Sequence, residues 1–129
     1  MPTNTAAVRV LIADDNRPTA FTFGRILEAR GYSTRVVLNG LAALDMLKEF
    51  CPDVVMLDIG MPALDGCEVI RRIKTEPGFE SMPIVVISGR SQPSDKAEAI
   101  EAGASYYLVK PIDFDELWAV LTNLVQTPR

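Results

Sequence analysis

The chain has 129 residues, 48% of them hydrophobic and 23% charged, with a formal net charge of −4 and no histidine. That length and balance suit one ordinary domain with a real core, and they exclude a disordered majority. Mild acidity offers no electrostatic footprint for a nucleic-acid binder, and two cysteines with no CxxC or Cys/His spacing exclude the usual zinc arrangements.

Residues 1–7 are polar and small and read as a tail. The first apolar run, residues 8–13, is too short for a signal-peptide core or a membrane span. It ends in Asp14-Asp15. Phe23, Ile26 and Leu27 then share one helical face before Gly31, which is well placed to close that helix. A second apolar run, residues 34–38, leads to Asn39-Gly40, a helix start followed by Leu41, Leu44 and Leu47. The third run, residues 54–57, ends in Asp58. Val69, Ile70 and Ile73 mark a third helix, closed by Pro77-Gly78. The fourth run, residues 84–87, ends in Ser88, and Ala97, Ile100 and Ala102 suggest a weaker helix ending at Gly103. The fifth, Tyr106–Val109, ends in Lys110-Pro111. Leu117, Val120, Leu121 and Leu124 make the last and strongest helix, and residues 126–129 form a second tail.

Most of the five runs are continuous rather than alternating in hydrophobicity, as strands buried on both faces of a parallel sheet are. Strand–helix alternation five times over predicts an α/β doubly wound sheet with helices on both faces and right-handed crossovers. No repeat, low-complexity tract or linker interrupts it, so a single domain over residues 1–129 is expected, with a core of about 8–125. All the apolar stretches are strand-length, which points to a cytoplasmic protein with no membrane contact; no disulfide between Cys51 and Cys67 is expected there.

In such folds ligands bind beyond the carboxyl ends of the strands, where strand order reverses. Four strand ends carry Asp14, Asp15, Asp58, Ser88 and Lys110. Taken singly, each has an ordinary explanation: a strand-end Asp caps the next helix, and a Lys is solvated. Jointly, three carboxylates at one sheet edge repel each other, raise pKa values and oppose folding unless a cation compensates. A hard, oxygen-liganded ion such as Mg2+ suits that site. A carboxylate is also a competent nucleophile toward phosphorus, and a metal and a lysine both neutralise phosphoryl oxygens. Asp58 can attack while Asp14 and Asp15 hold the metal; Lys110 supplies positive charge, and Ser88 a hydroxyl donor.

Asp14-Asp15, Asp58 within the segment 54–66 (VVMLDIGMPALDG), Ser88, and the Tyr107-Leu108-Val109-Lys110-Pro111 run together resemble the receiver domain of two-component response regulators, over about residues 8–125. The resemblance implies the flavodoxin-like (CheY-like) strand order 2-1-3-4-5. It implies Asp58 as phosphoacceptor, Mg2+ (or Mn2+ in its place) held by Asp15, Asp58 and the backbone carbonyl of Gly60 with Asp14 acting through water, and Lys110 paired with the phosphoryl group. Ser88 and Tyr107 stand where the family has its switching hydroxyl and aromatic. Pro111 resembles the family's cis-proline, which would aim Lys110 inward, and Pro62 and Gly66 match the loop after the acceptor. Phosphorylation would add about −1.5 to −2 units of charge, draw Ser88 in, let Tyr107 turn, and remodel the face made by the fourth helix, fifth strand and fifth helix for a partner or a homodimer. The implied partners are a histidine kinase or histidine phosphotransfer domain upstream and a protein target or fused output domain downstream. The chain would be no enzyme, only a phosphoacceptor that assists its own Mg2+-dependent phosphorylation and dephosphorylation.

Two positions that tune phosphoryl lifetime in the family are here Gly60, with no side chain to shield water, and Arg90, for which screening the phosphoryl group and pointing to solvent are equally open. Phe21 is expected on the side of the first helix away from the sheet, alongside Arg17, Gly24 and Glu28. There it reads either as an unremarkable exposed aromatic or, backed by Ile112, as an anchor for the phosphodonor. Trp118 is expected to be partly buried beside the remodelled face. Two other classes compete. An aspartyl-phosphate phosphatase would carry a second Asp two residues after the nucleophile, where this chain has Gly60. A degenerate, phosphorylation-independent interaction module would not need the full set of Asp14, Asp15, Asp58, Ser88 and Lys110. Met1 fits a natural N-terminus, and both a stand-alone regulator and a piece of a transcription factor or hybrid kinase suit the length.

Overall fold

A computed structural model of the chain describes residues 7–61 and 65–126. Five strands, β1 (Arg9–Ala13), β2 (Ser33–Val37), β3 (Val54–Asp58), β4 (Ile84–Ser88) and β5 (Tyr106–Val109), alternate with five helices. These are α1 (Arg17–Ala29), α2 (Gly40–Phe50), α3 (Gly66–Thr75), α4 (Pro93–Ala102) and α5 (Phe114–Gln126). All four strand pairings are parallel, in the order β2-β1-β3-β4-β5. Strand order therefore reverses beside β1, and the carboxyl ends of β1 and β3 lie next to each other at that point.

The period-two geometry of a strand sends successive side chains to opposite faces, and both faces are covered. Leu11, Val55, Leu57, Ile84 and Val86 meet Ala43 and Leu47 of α2, Val69, Ile70 and Ile73 of α3, and Ala99 of α4. Val10, Ile12, Val54, Met56, Val85 and Ile87 meet Phe23 and Leu27 of α1 and Leu117, Val120 and Leu121 of α5. This is why the runs lack alternation: no central strand has a wet side.

The helix starts follow from local chemistry. Asn16, Asn39 and Asp65 each precede a helix and accept a backbone N–H with the side chain, from Thr19, Ala42 and Cys67, satisfying donors that no helical carbonyl can reach. Gly31 and Gly103, just past α1 and α4, hold φ of 95° and 127°, conformations open to glycine.

Three details differ from the sequence reading. The second strand begins one residue earlier, at Ser33, and Asp58 and Ser88 are the last residues of their strands rather than the first beyond them. The fourth helix buries Ala99, not Ile100, which is 42% exposed. α4 lies against α3, and the small Ala99 permits close approach there, so the larger Ile100 is turned outward. The proline at 62 and the tails 1–6 and 127–129 lie outside the described residues.

Ile70 is fully buried between α3 and the sheet, so Ile70→Ala is expected to cost about 2–5 kcal/mol in urea unfolding. Leu41→Ala, at a residue 54% exposed, is expected to change stability by less than about 0.5 kcal/mol.

Candidate functional site

β1 and β3 pair in register from Val10↔Val54 to Ala13↔Leu57, which sets Asp14 and Asp58 side by side at the carboxyl edge of the sheet. Asp15 follows, exposed. One carboxylate oxygen from each of Asp14, Asp15 and Asp58 lies within 4.8 Å of the others. Asp14 is 3% exposed, and its Oδ1 accepts the Asn16 N–H at 2.9 Å. Asp58 Oδ1 accepts the Gly60 N–H at 2.8 Å, so both carboxylates are held by turns of their own chain. Asn16 thus does two things, capping α1 with its side chain and fixing Asp14 with its amide. An Asn just before Arg-Pro is a cap signal in the sequence, but its second role shows only in three dimensions.

Lys110 enters from the end of β5. Its Nζ donates to Asp58 Oδ2 at 3.2 Å and to Asp14 Oδ2 at 3.4 Å, while its backbone N–H donates to the Ser88 carbonyl at 2.8 Å. The Lys110–Pro111 peptide is cis. Burial pushes the Asp14 carboxyl above its ordinary range; the Asn16 amide and Lys110 pull the other way, and the Asp58 charge adds to the rise. Burial opposes the charge on Lys110 too, but the Asp58 and Asp14 carboxylates outweigh it and hold the amine above its usual value. The same ion pair therefore dominates at Lys110 and is overruled at Asp14, the more deeply buried partner.

The hydroxyl and the aromatic sit one strand further on. Ser88, 1% exposed, accepts the Arg90 N–H on its Oγ at 3.0 Å. Tyr107 has its ring buried, and its hydroxyl donates to the Arg90 carbonyl at 2.8 Å. Arg90 thus works through its backbone, tying Ser88 to Tyr107, while the residue itself is exposed. A strand-end list of side chains could not have found that link. Beneath the carboxylates lies a void of about 10 Å3, walled in part by Phe23, Met56 and Ile87.

Phe21 is 50% exposed and lines an open groove of about 360 Å3 between α1 and β2, with Gly24, Arg25, Glu28, Thr34, Arg35 and Val36. Gly24, expected on the outer side of the helix, is buried: a Cβ there would meet Val36 and Thr34 side chains at 3.4 and 3.5 Å, because α1 lies directly over β2. Ile112 is not among the residues that line that groove; it packs, partly buried, against the core on the α1 and α5 face of the sheet. Trp118 is partly buried, as expected, but on the seam between α1 and α5. It stacks on Tyr32 with ring centroids 6.5 Å apart, and the Arg30 guanidinium lies 4.3 Å from its ring.

The donor set of the acidic cluster consists of carboxylate oxygens with no thiolate or imidazole, chemistry that fits a hard divalent cation rather than zinc or copper. Burial chiefly, and the Asp58 charge after it, make Asp14 reluctant to ionise, and a bound cation would offset both.

Comparison with known proteins agrees with this geometry. The family model of the response regulator receiver domain matches residues 10–122. The response regulator MprA of Mycobacterium bovis is 37% identical over 123 residues, covering 95% of this chain and 53% of its own. The chain thus spans about half the length of the curated relatives it matches. Among solved structures, the chemotaxis response regulator CheY4 of Vibrio cholerae superposes with a TM-score of 0.85 at 25% identity, covering 92% of this chain and 99% of that one. The signal receiver domain of a signal transduction histidine kinase from Syntrophus aciditrophicus gives 0.85 at 31%, covering 93% and 91%.

Between the ordinary carboxylate value and Asp14's raised one, the native state binds more protons than the unfolded chain, so stability falls as pH rises through that window. Asp14→Asn removes this loss. In metal-free buffer at neutral pH the variant is expected to melt above the wild type by scanning calorimetry, with the gap closing as pH falls below the ordinary carboxylate value; a lower melting point would contradict the assignment of burial as the dominant cause.

Proposed function

The chain belongs to the response regulator receiver family of two-component systems, and on that premise we propose that Asp58 is its phosphoacceptor, working beside a divalent cation. The observation that carries the proposal is the convergence of Lys110 Nζ on Asp58 Oδ2 at 3.2 Å within a cluster of three carboxylates. Because the Gly60 amide engages Oδ1, Oδ2 is the oxygen presented with Lys110.

The transfer balances simply. An Asp58 carboxylate oxygen forms a bond to phosphorus while the bond from phosphorus to a donor imidazole nitrogen breaks; the imidazole leaves with the electron pair, and the product is an acyl phosphate. Lys110 is placed to offset charge on the phosphoryl oxygens, in a site where buried pairs act more strongly than in water. Asp15, Asp58 and the Gly60 carbonyl would hold Mg2+ (or Mn2+), with Asp14 supporting through water; when bound, the cation neutralises the charge of the transferring group. The protein's part is positioning and electrostatics, as in phosphoryl transfer generally. It assists its own phosphorylation and dephosphorylation and turns over no other substrate.

The switch follows from the Ser88–Arg90–Tyr107 chain. The Ser88 oxygen already accepts the Arg90 amide, so its O–H remains a donor for a phosphoryl oxygen. Drawing Ser88 toward the phosphate pulls on the Arg90 backbone, which holds the Tyr107 hydroxyl. The readout surface is then α4, β5 and α5, where Ile100 and Val109 are each 42% exposed, a face suited to a protein target, a fused output domain or a second copy. Gly60 and Arg90 tune the lifetime of the acyl phosphate. The donor is a histidine kinase or histidine phosphotransfer domain, the setting is the cytoplasm, and nucleic acid and membranes are not bound directly. The competing reading, an interaction module indifferent to phosphorylation, is separated from this one by chemistry alone.

With Mg2+ and acetyl phosphate, mass spectrometry should show a phosphoryl adduct on the wild type and none on Asp58→Asn. An adduct on that variant would refute the assignment, and none on the wild type would favour the phosphorylation-independent module.

Phe21, on the exposed side of α1, is proposed with Ile112 as a donor contact. Phe21→Ala should slow transfer from the cognate donor roughly tenfold or more, the loss of a buried aromatic anchor at an interface, while labelling by acetyl phosphate is unchanged. Equal loss with both donors would sink the docking role.

A further inference from the structure

We infer that Gly66 is a positioning residue for the acceptor turn: it lets the first turn of α3 rest on the backbone of Ile59 and so fixes Asp58 and Gly60 on either side. The inference rests on the reading of Asp58 and Gly60 as cation and phosphoryl ligands, and it adds a residue that touches neither ligand.

Gly66 opens α3 directly after its cap, Asp65, whose carboxylate accepts the Cys67 amide at 3.2 Å. A Cβ at 66 would lie 2.4 Å from Ile59 Cα, 2.6 Å from its Cβ and 2.7 Å from its Cγ2. Nonbonded carbons settle at about 3.5–4.0 Å, so a single methyl requires a shift of about 1 Å. The nearest of the three atoms is backbone, which cannot swing aside as a side-chain tip can. Ile59 is itself 5% exposed, boxed in by the core. Other glycines behave differently: a Cβ at Gly24 or Gly60 would meet nothing closer than 3.4 Å, and at Gly89 nothing within 4 Å.

Ile59 sits between the two residues whose geometry matters. Asp58 precedes it, Gly60 follows it, and the Gly60 amide closes the turn onto Asp58 Oδ1 at 2.8 Å. Displacing Ile59 by about 1 Å therefore displaces the carboxylate or the turn beside it, and misplacement on that scale costs on the order of 100-fold in a reaction rate. The usual expectation for glycine to alanine in a helix is stabilisation. Here the direction reverses.

The test is Mg2+ titration by calorimetry, with acetyl phosphate labelling as a second readout, on the wild type, Gly66→Ala and Val120→Ala. The last removes buried methyl groups on the opposite face of the sheet and controls for lost stability. Gly66→Ala is expected to bind Mg2+ about tenfold or more weakly, the scale of a lost supporting contact at a metal site, while Val120→Ala keeps the wild-type affinity. Trimming the neighbour in Gly66→Ala/Ile59→Ala should not restore binding, because Cα and Cβ remain. Wild-type affinity in Gly66→Ala, or full rescue by Ile59→Ala, overturns the inference. No binding or labelling by the wild type overturns the reading of the site beneath it, and the inference with it. Should Gly66→Ala fail to fold, amide exchange on the wild type decides. The Gly60 amide, which donates to Asp58 Oδ1, should exchange measurably more slowly than an unbonded loop amide in metal-free buffer, and exchange at the rate of an open loop overturns the proposal.

Discussion

Asp14 carries a carboxylate that is 3% exposed, and an ionised carboxylate taken out of water costs several kcal/mol unless it is paired and hydrogen-bonded. Much of the upper edge of the sheet can be understood as an answer to that cost. The Asn16 amide supplies one hydrogen bond, Lys110 supplies the charge, and Lys110 reaches Asp14 only because β5 ends at the same level as β1, three strands away. The answer is incomplete, since Asp14 remains less willing to ionise than a free carboxyl while Asp15 and Asp58 crowd the same few ångströms. A site left short of positive charge is a site that prefers a cation, and on the proposed reading the structure keeps that deficit for function.

How much of this was legible in the sequence depends on the range of the interaction. Strand positions were readable because parallel strands covered on both faces need unbroken apolar runs, and the runs ending at Asp14, Asp58, Ser88 and Lys110 fell within a residue or two of the observed elements. The cluster was readable for the same reason: a doubly wound sheet brings its strand ends to one edge, so residues from four separate strand ends could be placed together by topology alone. What failed was orientation within elements. The periodicity of α4 offered Ile100 as a core residue, yet helix-on-helix packing chose Ala99 for its size. In α1, Gly24 faced β2 rather than solvent, a matter of how the helix lies across a twisted edge strand.

Backbone roles were the other blind spot. In the sequence Arg90 advertises its side chain, whereas in the fold its N–H and C=O make the link between Ser88 and Tyr107. Gly66 stands in the sequence as part of a loop motif, whereas in the fold what matters is the atom it lacks. Residue type announces what a side chain can do; it is nearly silent about which peptide groups the fold will borrow, because every residue but proline offers the same pair.

These observations combine into a picture of how a local charge change could travel. The carboxylate edge is stiff where it must hold geometry: β3 runs through a buried Ile59 into a turn pinned against the start of α3, and Lys110 is anchored by its own backbone to Ser88. It is less tightly held toward β4 and α4. α4 has no side-chain cap at its start and buries only Ala99 among the residues of its length, and the link to Tyr107 is two hydrogen bonds through one exposed residue. A group added at Asp58 would therefore find little give toward β3 and α3 and more toward β4 and α4, so the path of least resistance leads to the face where Ile100 and Val109 are already exposed. Direction in such a switch needs no dedicated wire; it follows from which neighbours of the charged site are packed hard and which are not.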